Sequence, residues 1–170
     1  MQCVHTIVSK LIRDAVIIML TPKPQVRWVK YHADAKIPRI ATAGSAGADL
    51  VSVDHCAILP NQTRMVQTGL KVAIPKGYCM LLLPRSGLAK ENSVTLGNSP
   101  GLIDSDYRGP LNVLLRNEHP TDLFAVAPGD RICQMLIIEE FTSHFDFVEV
   151  DDLDETERGE GGFGSTGVSA

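Results

Sequence analysis

The sequence predicts an all-β domain, and three observations carry that expectation. Its 170 residues include 14 glycines and 10 prolines, a density of turn formers that favours many short strands over a few long helices. Between turn signals, apolar stretches of strand length recur at roughly 8 to 12 residues, the spacing of a sandwich or barrel. The chain is 44% hydrophobic and only 5% aromatic, enough for one domain with a real core and too little for two.

Each element follows from the turn chemistry that bounds it. Residues 25–31 open the pattern, and strands over 48–53 and 56–59 lie between Ala43-Gly44 and Pro60-Asn61. Strands over 64–73 and 77–83 are parted by Pro75-Lys76-Gly77. One brief helix is expected over 86–91, followed by a strand over 93–96. Arg108-Gly109-Pro110 precedes a strand over 111–117, and Pro128-Gly129-Asp130 separates 123–126 from 132–141. Phe145, Phe147 and Val150 close a last strand over 145–150. Glycine, proline, asparagine and aspartate end strands because they supply positive φ, a fixed φ or a local side-chain bond.

The two ends differ from this body. Residues 1–24 are expected to be an extension: Val8, Leu11, Ile12, Ala15, Val16 and Met19 recur at helical spacing, interrupted by Lys10, Arg13 and Asp14. Those interrupting charges do not suit a secretory signal, and Met19 is an alternative start. Residues 25–150 form the β-domain. Within 151–170, an acidic linker with five carboxylates in 151–157 precedes a glycine-rich arm; the linker repels itself and should remain extended and solvated.

Net charge is −4, and without the linker the body is +1 (16 cations less 15 acids). No basic face of the kind a nucleic-acid polymer demands is expected, and no stretch near the start is long enough to cross a membrane. Cys3, Cys56, Cys79 and Cys133 form no C-x-x-C pair, which fits reduced thiols in a cytoplasmic protein better than a zinc site or disulfide framework.

Five segments carry possible chemistry. In the arm, Gly159 and Gly164 have the spacing of a phosphate-binding loop, but Ser165 stands where its lysine belongs and no helix can follow. Arg158 and exposed glycine N–H groups still suit an anion. Pro84-Arg85-Ser86-Gly87 ends an apolar run in a cation and a hydroxyl; it reads equally as an anion site or as a turn capped by Ser86. Residues 101–109, Gly-Leu-Ile-Asp-Ser-Asp-Tyr-Arg-Gly, hold two carboxylates, of use to a hydrolase that must take a proton from water or simply as hairpin caps. Asp49 and Gln134 are polar residues in apolar company, either as satisfied core groups or as site residues.

In order and wording these segments resemble the trimeric dUTP diphosphatases (dUTPases). The family's five motifs read here as residues 43–50 (Ala-Gly-Ser-Ala-Gly-Ala-Asp-Leu), 84–89 (Pro-Arg-Ser-Gly-Leu-Ala), 101–109, 129–135 (Gly-Asp-Arg-Ile-Cys-Gln-Met) and 158–167 (Arg-Gly-Glu-Gly-Gly-Phe-Gly-Ser-Thr-Gly). The resemblance implies a jelly-roll-like distorted β-barrel with one short helix and a flexible C-terminal arm, assembled as a homotrimer with shared active sites. It implies hydrolysis of dUTP to dUMP and pyrophosphate, with Asp104 activating the water. Mg²⁺ would be held mainly by the substrate phosphates, with Asp49 and Gln134 reaching it or the phosphates through water.

By the same resemblance, Arg85, Ser86 and Gly87 grip the phosphate chain, and Arg158 closes over its end with Ser165 and Thr166. Phe163 stacks on uracil beside Gly164. Asn98, Gly101, Leu102, Ile103 and Asn112 belong to the hairpin that reads the base, and Tyr107 packs under the deoxyribose. The rival readings are a dCTP deaminase, alone or bifunctional, and a nucleotide-sensing regulator on the same fold.

Overall fold

The computed structural model describes residues 22–162. Expectations for residues 1–21, including the alternative start, and for Phe163, Gly164, Ser165 and Thr166 lie outside the described residues. The chain divides into two units, one ending at Glu140 and one beginning at Phe141.

Ten strands and one helix make up the first unit's regular structure among the described residues: β1 (Arg27–Lys30), β2 (Ala48–Val51), β3 (Cys56–Ile58), β4 (Thr63–Ala73), β5 (Tyr78–Leu83), α1 (Ser86–Asn92), β6 (Val94–Leu96), β7 (Gly101–Ile103), β8 (Pro110–Asn117), β9 (Phe124–Val126) and β10 (Arg131–Glu139). They form one four-stranded sheet in the order β1-β4-β8-β6, a second in the order β2-β10-β5-β7, and a two-stranded β3-β9 ribbon. Every strand pairing is antiparallel. The expected all-β architecture is present, but the sheets do not close into a barrel.

Strand patterning explains the core. On β8, Leu111, Val113, Leu115 and Asn117 are buried and alternate with more exposed neighbours, so one face turns inward. Leu111, Val113 and Leu115 meet Val66, Leu70 and Val72 of β4, Met80 and Leu82 of β5, and Ile132 of β10 in one apolar cluster. Burial of each such side chain contributes about 1.5–3 kcal/mol. The β4–β8 register shifts between Gln67 and Leu70, where Gly69 has φ +69° and an added Cβ would lie 2.7 Å from the His32 Cβ. Only glycine suits both demands.

The fully buried side chains of Thr68 and Asn117 are paired. Thr68 Oγ1 donates to the Leu111 carbonyl at 2.6 Å. Asn117 Nδ2 donates to the carbonyls of Ile58 and Asp122 at 3.0 and 2.8 Å, and its Oδ1 accepts from the His119 N–H at 2.9 Å. One buried amide thereby ties the β3-β9 ribbon to β8.

Three sequence expectations need correction. No strand forms over 145–150: after a 3-10 turn at Thr142–His144 the chain runs irregularly. Phe145, Phe147 and Val150 remain 67%, 85% and 58% exposed, because no neighbouring strand supplies a ladder. Conversely, Gly101–Ile103 is a strand; three residues opening on glycine are too short to display alternation. The Ser86 cap is also absent, since Arg85 occupies the N-cap position without a side-chain cap bond.

Candidate active site

Two groups of side chains emerge from this framework. The first is built on the second sheet, where the register sets Asp49 of β2 opposite Gln134 of β10, and Gln134 opposite Leu83 of β5. Asp49 accepts through Oδ1 from Arg85 Nε at 2.9 Å and through Oδ2 from an Arg131 Nη at 3.2 Å. A second Arg85 nitrogen donates to the Arg131 carbonyl at 3.0 Å. Gln134 Nε2 donates to the Pro84 carbonyl at 3.0 Å, leaving its Oε1 turned to other partners. One carboxylate thus holds two guanidiniums side by side, and charge-assisted bonds of this kind orient both forks.

Beneath this cluster, burial pushes the Cys133 thiol up to about 12, with the nearby Asp49 charge raising it further and Arg85 opposing. It is an inert buried thiol.

The second group lines a cleft of about 310 Å³: Asn98, Leu102, Ile103, Asp104, Tyr107 and Asn112, with Met65, Pro110 and Leu114. The β7–β8 connection, which crosses from the second sheet to the first, builds most of it and is braced internally. Tyr107 Oη donates to the Pro110 carbonyl at 2.9 Å, and an Arg108 Nη donates to the carbonyls of Ser105 and Tyr107, both at 2.7 Å. An added Cβ on Gly109 would lie 2.7 Å from Tyr107 Cζ, so glycine is what allows the ring to lie against this turn. Asn112 donates through Nδ2 to Met65 Sδ at 3.5 Å, while its buried Oδ1 has no hydrogen-bond partner among the described residues. An acceptor left in this state costs about 1–3 kcal/mol unless a ligand or water donates to it.

Six residues expected at the site therefore share one cleft, and Asp49, Arg85 and Gln134 share another location. Ser86 and Gly87 are exposed at the start of α1, and Gly101 pairs with Leu82 behind the cleft. The two groups are far apart within one chain. Asp49 lies on one edge strand of the second sheet and Ile103 on the other, three strand spacings away. The register adds the four residues from Leu83 to Cys79, the level of Asp104. At about 4.8 Å per strand and 3.3 Å per residue, Asp49 and Asp104 are on the order of 20 Å apart. Arg158 lies in the second unit, where its Nε donates to the Gly161 carbonyl at 2.7 Å.

Sequence reasoning gave no role to Arg131, Met65 or Leu114. Met65 and Leu114 are directly paired across β4 and β8 and are 57% and 37% exposed. Apolar residues on the outward face of alternating strands were the available signal. Arg131 stood inside a quoted motif, but its bond to Asp49 spans 82 residues and leaves no local trace.

A divalent ion fits the first group in one manner only. Among the described residues no three histidine, cysteine, aspartate or glutamate side chains form a metal cluster, and both oxygens of Asp49 already accept from arginines. Hard oxygens of Asp49 and Gln134 suit Mg²⁺ bound through water and carried largely on another group's oxygens.

A β-fold with a braced cleft of mixed polar and apolar lining and a separate paired-arginine cluster has the chemistry to receive a flat polar ring at one station and a polyanion at another. The dUTPase family profile matches residues 33–167, and the chain belongs to that family. A deoxyuridine 5'-triphosphate nucleotidohydrolase of Caulobacter vibrioides is 51% identical over 146 residues, covering 84% of this chain and 92% of that protein. One from Cutibacterium acnes is 47% identical over 134 residues, covering 79% and 87%. The solved Staphylococcus bacteriophage 80alpha dUTPase with dUPNHPP superposes with a TM-score of 0.77 at 26% identity, covering 85% of this chain and 99% of that one.

Proposed function

We propose that this chain hydrolyses dUTP to dUMP and pyrophosphate with Mg²⁺, the base and sugar lying in the cleft and the phosphates against the Asp49–Arg85–Arg131 cluster. The cleft in which Asp104 shares a wall with Asn98, Tyr107 and Asn112 carries the reading. A base lined by Asn98 and the backbone of Gly101, Leu102 and Ile103 meets fixed donors and acceptors, so cytosine would leave buried groups unpaired and be rejected strongly. Tyr107, pinned through Pro110, lies where a ribose 2'-OH would intrude. Asn112 lines the same cleft and presents its Nδ2 edge to the nucleotide.

Asp104 takes the proton of the attacking water, and Arg85 and Ser86, with the backbone at Gly87, hold the phosphate chain as charge builds on the leaving pyrophosphate. Asp49 and Gln134 would hold Mg²⁺ through water, and the ion would supply neutralisation of phosphate charge there. Arg158, Phe163, Gly164, Ser165 and Thr166 of the arm close the site over the terminal phosphate and the base, excluding water other than the nucleophile.

The chain works as a homotrimer with shared sites in this reading. The separation of about 20 Å between Asp49 and Asp104 supports it, since one nucleotide cannot meet both within a single chain. The exposed apolar side chains of Phe145, Phe147 and Val150 support it too, because such a stretch gains from a neighbouring copy. The extension 1–24, the β-domain 25–150 and the linker with arm 151–170 are its working parts. The setting is cytoplasmic; free thiols at Cys56, Cys79 and Cys133 support that. No nucleic-acid polymer or membrane takes part, and no described helix is long and apolar enough to cross a bilayer.

Incubation with Mg²⁺ and, separately, dUTP, dCTP, dTTP and UTP tests the activity. Pyrophosphate from dUTP alone is expected. Ammonia from dCTP would move the chain to the deaminases, and no turnover at all would favour a nucleotide sensor.

A further inference from the structure

Away from the cleft and the arginine cluster, a second basic site stands on the outer sheet. A cavity of about 380 Å³ is lined by Arg27 and Val29 of β1, Lys71, Val72 and Ala73 of β4, and Arg108 from the β7–β8 connection. The register explains the grouping: Arg27 pairs with Ala73 and Val29 with Lys71. Three cations therefore ring a short apolar floor on which Val29 is 59% exposed. Among the described residues Arg27 and Lys71 have no ion-pair partner, and Arg108 gives only one Nη to carbonyls of its own loop. Because β1 is the edge of its sheet, one side of the cavity is open to another chain.

The matching ligand is written in the same sequence. Asp151, Asp152, Asp154, Glu155 and Glu157 are exposed and, among the described residues, none is in a salt bridge. In their midst Leu153 is 80% exposed. Acid-acid-leucine-acid-acid is the complement of an apolar floor ringed by three cations. We propose that the Arg27–Lys71–Arg108 cavity holds the acidic segment 151–157 of a second copy, with Leu153 on Val29 and Ala73 and the carboxylates on the three cations. This rests on the shared-site reading above and adds the latch that anchors a neighbour's arm before it closes. A nucleic-acid strand is the poorer occupant, since half of the lining is apolar and the site offers three cations only. Charge pairing here also steers the arm and fixes its register.

Disulfide trapping in the full-length enzyme tests this. Ala73→Cys leaves all three cations in place and is combined in turn with Asp152→Cys, Asp154→Cys or Glu155→Cys, with each single variant as control. A disulfide needs Cα atoms within about 7 Å. At least one pair is expected to give reducible dimers and trimers on a non-reducing gel. Its yield should fall severalfold in 1 M salt, where screening shortens from about 10 Å to about 3 Å relative to 0.1 M, and on adding Arg27→Glu. A link closed within one chain, or none above the single-cysteine controls, overturns the proposal. Sizing and dUTP turnover of the same samples separate the two claims. An active trimer without cross-links refutes the latch alone, whereas an active monomer refutes the shared site and the latch with it.

Discussion

The arginine cluster and the cleft solve opposite problems. In the cluster every charge is already answered: both Asp49 oxygens accept from guanidiniums, and Arg85 is tied to the Arg131 backbone as well. In the cleft, the geometry is braced by Tyr107 and Arg108 while Asn112 Oδ1 is left without a donor. The comparison teaches that a site for a highly charged chain is best held pre-paired, because a carboxylate between two guanidiniums offsets their mutual repulsion and orients both forks. A site that must tell one neutral base from another depends on fixed donors and acceptors, since the wrong ligand leaves a buried group unpaired at a cost of about 1–3 kcal/mol and the right one does not.

Substitutions can break this contrast, beginning with the largest effect. Asp104→Asn keeps the shape of the cleft and removes the proton acceptor, so kcat for dUTP should fall by about 10²–10⁴ while nucleotide binding by calorimetry and the melting temperature hold. Turnover within a few-fold of the parent would remove Asp104 from the role of base. Asp49→Asn should come next, because it leaves Arg85 and Arg131 adjacent with no carboxylate between them. Hydrogen bonds to charged groups are worth about 1.5–3 kcal/mol, which corresponds to a fall of about 10–100-fold in kcat/KM. The loss should lie mainly in KM, and unchanged kinetics would show that the clamp does not position Arg85.

Asn112→Leu sharpens the comparison from the other side. Removing an unpaired acceptor should leave the melting temperature equal or higher, yet raise KM for dUTP severalfold; a destabilised protein with normal KM would mean that the amide serves the fold. Gly109→Ala should act more gently. Its Cβ pushes on the Tyr107 ring, so discrimination between dUTP and UTP should narrow by a few-fold in parallel kcat/KM measurements, with little change for dUTP itself.

The smallest effect is silent at neutral pH. Cys133 titrates at about 12 in the folded protein because it is buried, whereas an unfolded chain loses this proton near 8.5. Below that pH both states hold the proton and the thiol adds no pH dependence. Between about 9 and 12 the unfolded chain binds fewer protons, so stability declines as pH rises. Urea midpoints for Cys133→Ala, measured from pH 8 to 10.5, should fall less steeply than the parent's; parallel curves would show another group to be responsible.

Much of this molecule was legible as sequence because the deciding interactions are local. Glycine and proline mark strand ends, alternation on residues such as Leu111, Val113 and Leu115 reveals an inward face, and five motifs in order identify the family. Where local signals were thin, the reading failed: β7 is three residues long, and Phe145, Phe147 and Val150 have strand composition but no neighbouring strand. Residues 101–109 announced a chemical hairpin, yet nothing in them pointed to Met65, which enters the cleft because β4 pairs with β8. The pairing of Asp49 with Arg85 and Arg131 across 36 and 82 residues, and the distance of about 20 Å that keeps it from Asp104, were decided by the tertiary structure alone. Periodicity and turn chemistry tell which face of a strand turns inward and where it ends. Which strands become neighbours depends on how the whole chain buries its apolar surface, so only the folded sheets determine which distant charges meet.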